Sequence, residues 1–177
     1  QRPQEYPIEK LLNEVKKIDY KKTDTAIEAL ILESELIKKN QPPFNIRDKD
    51  DKSFLYVEIT KEKFPRVLLV RGKDLKNEAF GSFTSASSIR EALKILRRIF
   101  PWSNHSEEQI TKSKERKLKP CFDYQIGLCP GTCVGAISRG DYLKNIKNIK
   151  LFFQGKKGEI LTGLKKEMRL ASKKLEF

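Results

Sequence analysis

Apolar residues recur at a helical spacing after Thr25, which predicts an amphipathic helix that ends before two prolines. Thr25 and Glu28 have the spacing of a capping box, in which each side chain binds a free backbone N–H at the helix start. Pro42 and Pro43 cannot continue a helix, so this helix is predicted to end by Gln41. Its apolar residues are Ala29, Leu30, Leu32, Leu36 and Ile37.

The remaining hydrophobic pattern predicts a mixture of short strands and amphipathic helices. Residues 54–60 alternate between apolar and polar, and residues 64–72 are more continuously apolar, so together they predict a β-hairpin. Gly81 is interpreted as a tight turn. The other predicted elements are a helix within residues 1–17, a brief strand at 18–23, a helix at 88–100 with a basic outer face, and an antiparallel helical hairpin formed by 141–153 and 156–177.

One carboxylate interrupts the apolar stripe of the helix that follows Thr25. The residues three and four positions from Glu33 are Ala29, Leu30, Leu36 and Ile37, and all four are apolar. We therefore expect Glu33 to point towards the buried stripe. A carboxylate in that position requires an ion-pair partner or a metal, because burying an unpaired charge is costly. The pattern alone leaves both a structural ion pair and a functional carboxylate open.

Composition and charge limit the classes of function. The chain has 177 residues, 38% of them hydrophobic, and a formal net charge of +13. This surplus of positive charge favours a polyanionic partner such as nucleic acid, although a lysine-rich composition is the simpler alternative. No run of 18 apolar residues is present, so no membrane partner is expected. The start has no signal peptide, which predicts a cytoplasmic protein.

The three cysteines form a cluster, Cys121, Cys129 and Cys133. Clustered cysteines in an intracellular protein favour a metal site over disulfides, and free structural thiols are the alternative. The single histidine, His105, precedes Cys121 by sixteen residues. Between them, the basic segment 106–120 has few apolar residues, so it is predicted to be a loop that a metal would hold in place.

Several stretches resemble the UvrC family of excinuclease ABC proteins, bacterial repair nucleases with an N-terminal GIY-YIG nuclease domain. The resemblance rests on EALILE with LIKKNQPPFN, on FGSFTSA, and on the cysteine-containing CFDYQIG run. It implies an α+β fold in which a partial GIY-YIG nuclease core, with a small antiparallel sheet and helices, precedes a Cys-rich metal-binding segment and a helical hairpin. The corresponding domains would be 1–85, 86–140 and 141–177.

The resemblance also implies specific roles. Glu33 would be the single protein ligand of Mg²⁺ or Mn²⁺, and Asn45, twelve residues later, would belong to the same active site. His105 stands where the family has the first of four cysteines, so His105, Cys121, Cys129 and Cys133 would form a ligand set. The family's site is associated with a [4Fe–4S] cluster. Zinc is the alternative, since Cys3His is an ordinary zinc set.

The function implied is incision of damaged double-stranded DNA 3′ to a lesion, in nucleotide excision repair, together with UvrB, the partner protein within excinuclease ABC. The family's GIY and YIG motifs are absent from this sequence, so we expect a piece of a longer protein, inactive alone, or a reduced homologue. A non-catalytic DNA-binding module and an adaptor to UvrB are the alternatives. The residues expected to contact DNA are Arg90, Lys94, Arg97, Lys112, Lys114, Arg116, Lys117 and Lys119.

Overall fold

The computed structural model describes residues 8–42, 54–115 and 119–174, without the side chains at 8, 9 and 73. Within these ranges, no helix is both long and apolar enough to cross a membrane. The strands are β1 (Leu55–Ile59), β2 (Val67–Arg71) and β3 (Glu78–Phe83), and the helices are α1 (Ile8–Glu14), α2 (Ala26–Asn40), α3 (Ala86–Ile99), α4 (Glu107–Glu115), α5 (Phe122–Gln125), α6 (Arg139–Phe153) and α7 (Lys157–Lys174).

The sheet is antiparallel, with the strand order β2-β1-β3. The predicted hairpin is confirmed, with Val57 opposite Leu69 and Ile59 opposite Val67. The expectation of a tight turn at Gly81 is wrong, because Gly81 lies within β3. Its φ of 129° and the 3.0 Å between an added Cβ and the Leu55 carbonyl oxygen explain why glycine is needed there. The register of β1 against β3 is irregular at the same point.

β1 is buried more completely than its alternating sequence indicates. Val57 and Ile59 contribute to the hydrophobic core, as expected. Glu58, predicted to face outward, is only 3% exposed. Its carboxylate accepts hydrogen bonds from the Asn77 side-chain amide and from the Lys76 N–H, the latter at 3.4 Å. The residues just before β3 therefore lie against the face of the central strand β1 that carries Glu58.

Helix α2 begins and ends as the sequence predicts. The Thr25 hydroxyl accepts a hydrogen bond from the Glu28 N–H at 3.2 Å. The Glu28 carboxylate reaches back to the Asp24 N–H at 3.3 Å, one residue before the position expected for a capping box. At the other end, Gln41 adopts the left-handed conformation and its N–H binds the Ile37 carbonyl. Both helix ends are thus determined by local sequence.

The segment before α2 differs from the prediction. No strand is present over residues 18–23, where Ile18 is 89% exposed and Tyr20 is 87% exposed. In α1, Leu12 is 65% exposed. A short apolar pattern forms a stable strand only when it pairs with a sheet, and the described sheet consists of β1, β2 and β3 without residues 18–23.

Two further helices correct the sequence-based description. The basic segment 106–120 contains α4 rather than a loop. Ser106 and Gln109 cap it reciprocally, and Ile110 is buried. In the predicted helical hairpin, α6 packs into the core, but α7 buries only Ile160. The remaining predicted apolar stripe of α7 is exposed at Leu161, Leu164 and Met168. α7 therefore contacts α6, but most of its apolar stripe is left uncovered.

Tyr142 connects α6 to two other parts of the fold. Its side chain is fully buried, and its ring packs edge-on against Phe64 with 5.2 Å between ring centroids. The hydroxyl donates a hydrogen bond to the Pro65 carbonyl at 2.6 Å and accepts one from the Ser103 N–H at 3.1 Å. Burial raises the pKa of Tyr142 to about 12, so the hydroxyl stays protonated at neutral pH. One side chain thus joins the hairpin turn, α6 and the segment after α3.

Candidate functional site

Three potential metal ligands converge at the junction of α4 and α5. The imidazole of His105 and the thiols of Cys121 and Cys133 offer ligand atoms that all lie within 4.8 Å of one another. His105 lies two residues before α4, Cys121 is the N-cap of α5, and Cys133 follows the turn after α5. Residues far apart in the sequence are therefore brought together by the two helices between them.

Tight turns between α5 and α6 place the second and third cysteines. The Asp123 carbonyl accepts hydrogen bonds from the N–H groups of Leu128 at 2.8 Å and Cys129 at 3.0 Å, so the chain reverses directly after α5. Gly131 has a φ of 85°, and an added Cβ would lie 2.6 Å from the Cβ of Ala136. Only glycine fits this position without displacing the backbone.

Cys129 is adjacent to the three ligands but not among them. Its thiol is buried and lies 3.9 Å from the Thr132 hydroxyl. It is nevertheless close enough to influence Cys121. Burial, together with the neighbouring thiols of Cys133 and Cys129, raises the pKa of the Cys121 thiol to about 12. A cation would have to displace the Cys121 proton, which makes metal affinity increase with pH.

The donor set fits a soft metal. Thiolates and imidazole are the usual ligands of zinc, and thiolates hold iron–sulfur clusters. The ligand atoms of a tetrahedral ion with bonds of about 2.0–2.3 Å lie roughly 3.3–3.8 Å apart. The two sulfurs and the ring nitrogen, within 4.8 Å of one another, are close to that spacing, so the predicted Cys/His cluster is present in the fold.

Glu33 lies at an open cleft and is exposed, so the expectation that it points into a buried stripe is wrong. The cleft, of about 810 Å³, separates α2 from α3 and is lined on the α3 side by Ser88, Glu91 and Ile95. Ala29 and Leu30 also line it. The face of α2 that carries Glu33 is thus apolar but uncovered, and α2 instead buries Ile31 and Ser34.

Asn45, the predicted partner of Glu33, lies outside the described residues. Sequence reasoning did not identify Glu91, which lines the opposite side of the same cleft from α3. Its position, two residues after Ile89 and one before Ala92, carries no distinctive signal. Among the described residues, Glu33 belongs to no cluster of potential metal ligands.

Apart from Arg97, the predicted DNA-contacting residues divide into three groups. Arg90 and Lys94 are exposed on one side of α3, and Lys119 is exposed after α4. Lys112 pairs with Glu108 on the exposed side of α4, while the Lys114 ammonium lies 5.7 Å from the Phe64 ring centroid. Arg116 and Lys117 lie outside the described residues.

Arg97 does not have the environment of a DNA-contacting residue. Its guanidinium forms an ion pair with Asp123 at 2.6 Å, and its side chain is only 13% exposed. It also donates two hydrogen bonds to the Trp102 carbonyl, at 3.1 and 3.3 Å. We therefore withdraw Arg97 from the predicted DNA-contacting set. The sequence contains only a weak signal that Arg97 is enclosed, namely that it directly follows the buried Leu96.

Two known domain families match the chain. Residues 54–152 match the UvrC/Cho excinuclease middle domain, and residues 1–46 match the UvrC-like GIY-YIG domain. No solved structure matches the chain.

Curated relatives match nearly the whole chain. UvrABC system protein C of Methanothermobacter thermautotrophicus is 41% identical over 179 residues, covering 99% of this chain and 29% of that protein. UvrABC system protein C of Photorhabdus laumondii is 39% identical, covering 96% of this chain and 27% of that protein. The protein of the same name from Escherichia coli O1:K1 is 38% identical, with the same two coverages. The chain thus spans less than a third of the length of these relatives.

Proposed function

Because the chain belongs to the UvrC/Cho excinuclease family, we propose that it is part of a DNA endonuclease of nucleotide excision repair. The observation that carries this proposal is the match of residues 1–46 and 54–152 to two domains of one repair nuclease, in the same chain. The relatives carry the name UvrABC system protein C, which supports damaged double-stranded DNA as substrate and UvrB as partner.

The carboxylate proposed to act in catalysis is Glu33. Its exposure at the cleft between α2 and α3 supports access for a phosphodiester, which a buried carboxylate would not allow. Glu33 would hold Mg²⁺ or Mn²⁺, cations that keep several waters and need few protein ligands. The bound metal would stabilise negative charge on the phosphate during cleavage 3′ to a lesion. Asn45 is proposed to belong to the same site.

The Cys/His cluster is proposed to hold a [4Fe–4S] cluster, with Zn²⁺ as the alternative. His105, Cys121 and Cys133 would supply ligands directly, and Cys129 would be the fourth. The metal would then join the chain before α4, the start of α5 and the turn after α5, because each of these segments contributes a ligand. A structural role is favoured over catalysis, since Cys129 and Cys133 are buried.

DNA would be bound through positive charge on the outer faces of α3 and α4. Arg90 and Lys94 are exposed one helical turn apart, which suits contacts with successive phosphates of one strand. Lys112, Lys114, Lys119, Arg116 and Lys117 are proposed to extend this surface. The net charge of +13 supports binding that weakens steeply with salt.

UvrB is proposed to contact the chain through α7. The exposed apolar side chains of this helix support a protein partner, since Met168 is 67% exposed and Leu164 is 36% exposed. Binding to UvrB in the absence of DNA would test this role directly. Met168→Lys should abolish that binding. Because Met168 is far from Glu33 along the chain, this loss would separate partner recognition from catalysis.

The catalytic proposal is tested by incision of a lesion-containing duplex with UvrA, UvrB and Mg²⁺. A chain extended at its start with the GIY and YIG motifs should cut, and Glu33→Gln in that extended chain should abolish cutting 3′ to the lesion. Glu35→Gln, an exposed glutamate of the same helix, is the matched control and should retain activity. The 177-residue chain alone should not cut. Full activity of the Glu33→Gln protein would instead favour a binding module without catalytic function.

A further inference from the structure

Arg97, between α3 and the Cys/His cluster, is largely enclosed although it carries a charge. It lies on α3, directly after the core residue Leu96, and only 13% of its side chain is exposed. A charge that is 13% exposed needs strong partners, because its desolvation is costly. The partners of this guanidinium identify what it does.

The guanidinium contacts both chain segments that lead into the cluster. On one side it donates two hydrogen bonds to the Trp102 carbonyl and lies 5.6 Å from the centroid of the Trp102 ring. When the oxygen and nitrogen of the Asn104 amide are exchanged, so that the oxygen faces Arg97, this oxygen accepts hydrogen bonds from the guanidinium at 3.1 Å and 3.3 Å. Asn104 immediately precedes His105, so this side fixes the approach of the imidazole.

On the other side, the guanidinium forms an ion pair with Asp123 at 2.6 Å. Asp123 lies two residues after Cys121, in the first turn of α5. The Asp123 carbonyl also accepts the N–H of Cys129, so the ion pair reaches a second cysteine through one backbone hydrogen bond. Arg97 therefore connects the segments that carry His105, Cys121 and Cys129, and none of these contacts involves the ligand atoms themselves.

We propose that Arg97 and Asp123 are positioning residues of the metal site, which hold His105 and Cys121 at ligand distance before the metal binds. The proposal rests on the metal site proposed above. Guanidinium–carboxylate pairs are strong and directional, which suits the fixing of two segments relative to each other. Groups that orient metal ligands in this way typically contribute about 10–100-fold to metal affinity.

The test is the zinc affinity of the metal-free 177-residue chain, measured by competition with a chromophoric chelator. We expect Arg97→Gln to bind zinc about 10–100-fold more weakly than the unmodified chain. Asp123→Asn should show a smaller loss in the same direction, because its amide oxygen can still accept a hydrogen bond from Arg97. Arg98→Gln, the exposed neighbour on the same helix, is the matched control and should bind normally.

Two further measurements separate positioning from general stability. The sulfur-to-cobalt charge-transfer spectrum of the Co²⁺-loaded chain should change in Arg97→Gln, since a displaced ligand alters the geometry around the ion. The double variant Arg97→Gln/Asp123→Asn should lose no more affinity than Arg97→Gln alone, because both changes remove the same interaction. Asp123→Asn preserves side-chain size, so it decides the question if Arg97→Gln does not fold.

The outcomes distinguish the proposals. Zinc affinity and Co²⁺ spectra of Arg97→Gln and Asp123→Asn equal to those of the unmodified chain would overturn the positioning role and leave the metal site intact. An unmodified chain that bound neither Zn²⁺ nor Co²⁺, and carried no iron on anaerobic purification, would remove the metal site and this inference with it.

Discussion

The Cys/His cluster and the Glu33 cleft differ in how completely the described chain encloses them. The cluster lies where α3, α4, α5 and the turns before α6 meet, and Cys129 and Cys133 are 2% and 4% exposed. Glu33 lies on an uncovered face of α2, opposite Glu91 across an open cleft. The first arrangement suits a permanently bound group, whereas the second suits a substrate or cation that enters and leaves.

This difference in enclosure also explains why the sequence indicated the Cys/His cluster but gave the wrong environment for Glu33. Metal ligands can be identified by residue type, so the clustered cysteines indicated a metal site, and the family resemblance added His105 to Cys121 and Cys133. The orientation of Glu33 depended on whether its apolar neighbours were covered. That is a question about distant parts of the chain, which local spacing does not answer.

The largest effect that would sharpen this contrast is expected from Cys133→Ala. Removing a ligand should lower metal affinity by more than about 100-fold, beyond the range for groups that only orient ligands. The measurement is the metal content of anaerobically purified protein, with an absorption spectrum to distinguish iron–sulfur from zinc. Cys129→Ala provides the comparison, since an equal loss indicates a four-ligand site. Retention of normal metal content by Cys133→Ala would contradict the proposed centre.

The next effect concerns the packing that supports the enclosed region. Tyr142→Phe removes the hydroxyl that binds the Pro65 carbonyl and the Ser103 N–H, and leaves both groups buried without a partner. We expect a loss of about 1–3 kcal/mol in the free energy of unfolding, measured by urea titration. Tyr20→Phe, at a position 87% exposed, should leave stability unchanged. Equal stability of both variants would show that the buried hydroxyl contributes nothing.

A smaller effect is expected at the start of α2. Thr25→Ala removes the hydroxyl that accepts the Glu28 N–H, which should cost about 1 kcal/mol. Faster hydrogen exchange of the Glu28 amide would show that the loss is local to the helix end. Thr162→Ala is the control, because its hydroxyl only donates to the Gly158 carbonyl within α7. A Thr25→Ala protein with unchanged Glu28 exchange would exclude this cap as a source of helix stability.

The smallest expected effect is the change in stability on removing the exposed Glu33 carboxylate, compared with removing the buried Glu58 carboxylate. Glu33→Ala should change the free energy of unfolding by less than about 0.5 kcal/mol, because the carboxylate is exposed. Glu58→Ala should cost about 1–3 kcal/mol, since it leaves the Asn77 amide and the Lys76 N–H without their buried acceptor. Thermal unfolding of both variants measures the difference. A large loss for Glu33→Ala would mean that the cleft is covered in solution.

The parts of the fold that the sequence predicted are those determined by neighbouring residues. Thr25 and Gln41 mark the two ends of α2, and the β1–β2 hairpin follows from alternation. β3 could not be predicted, because the strand conformation around Gly81 depends on pairing with the distant strand β1. α4 was missed because its basic composition obscured the capping box of Ser106 and Gln109. The role of Arg97 depends on Asp123, 26 residues away.

The hydrogen bond between the Ser103 N–H and the Tyr142 hydroxyl has a consequence for slow motions of the protein. Ser103 is fully buried and lies two residues before His105, so its amide proton can exchange with water only when α6 separates from this segment. The deuterium uptake of that single amide therefore reports how often the enclosed region opens. An uptake rate that falls when the Cys/His centre is loaded would reveal the energetic linkage between ligand capture and the closure of α6.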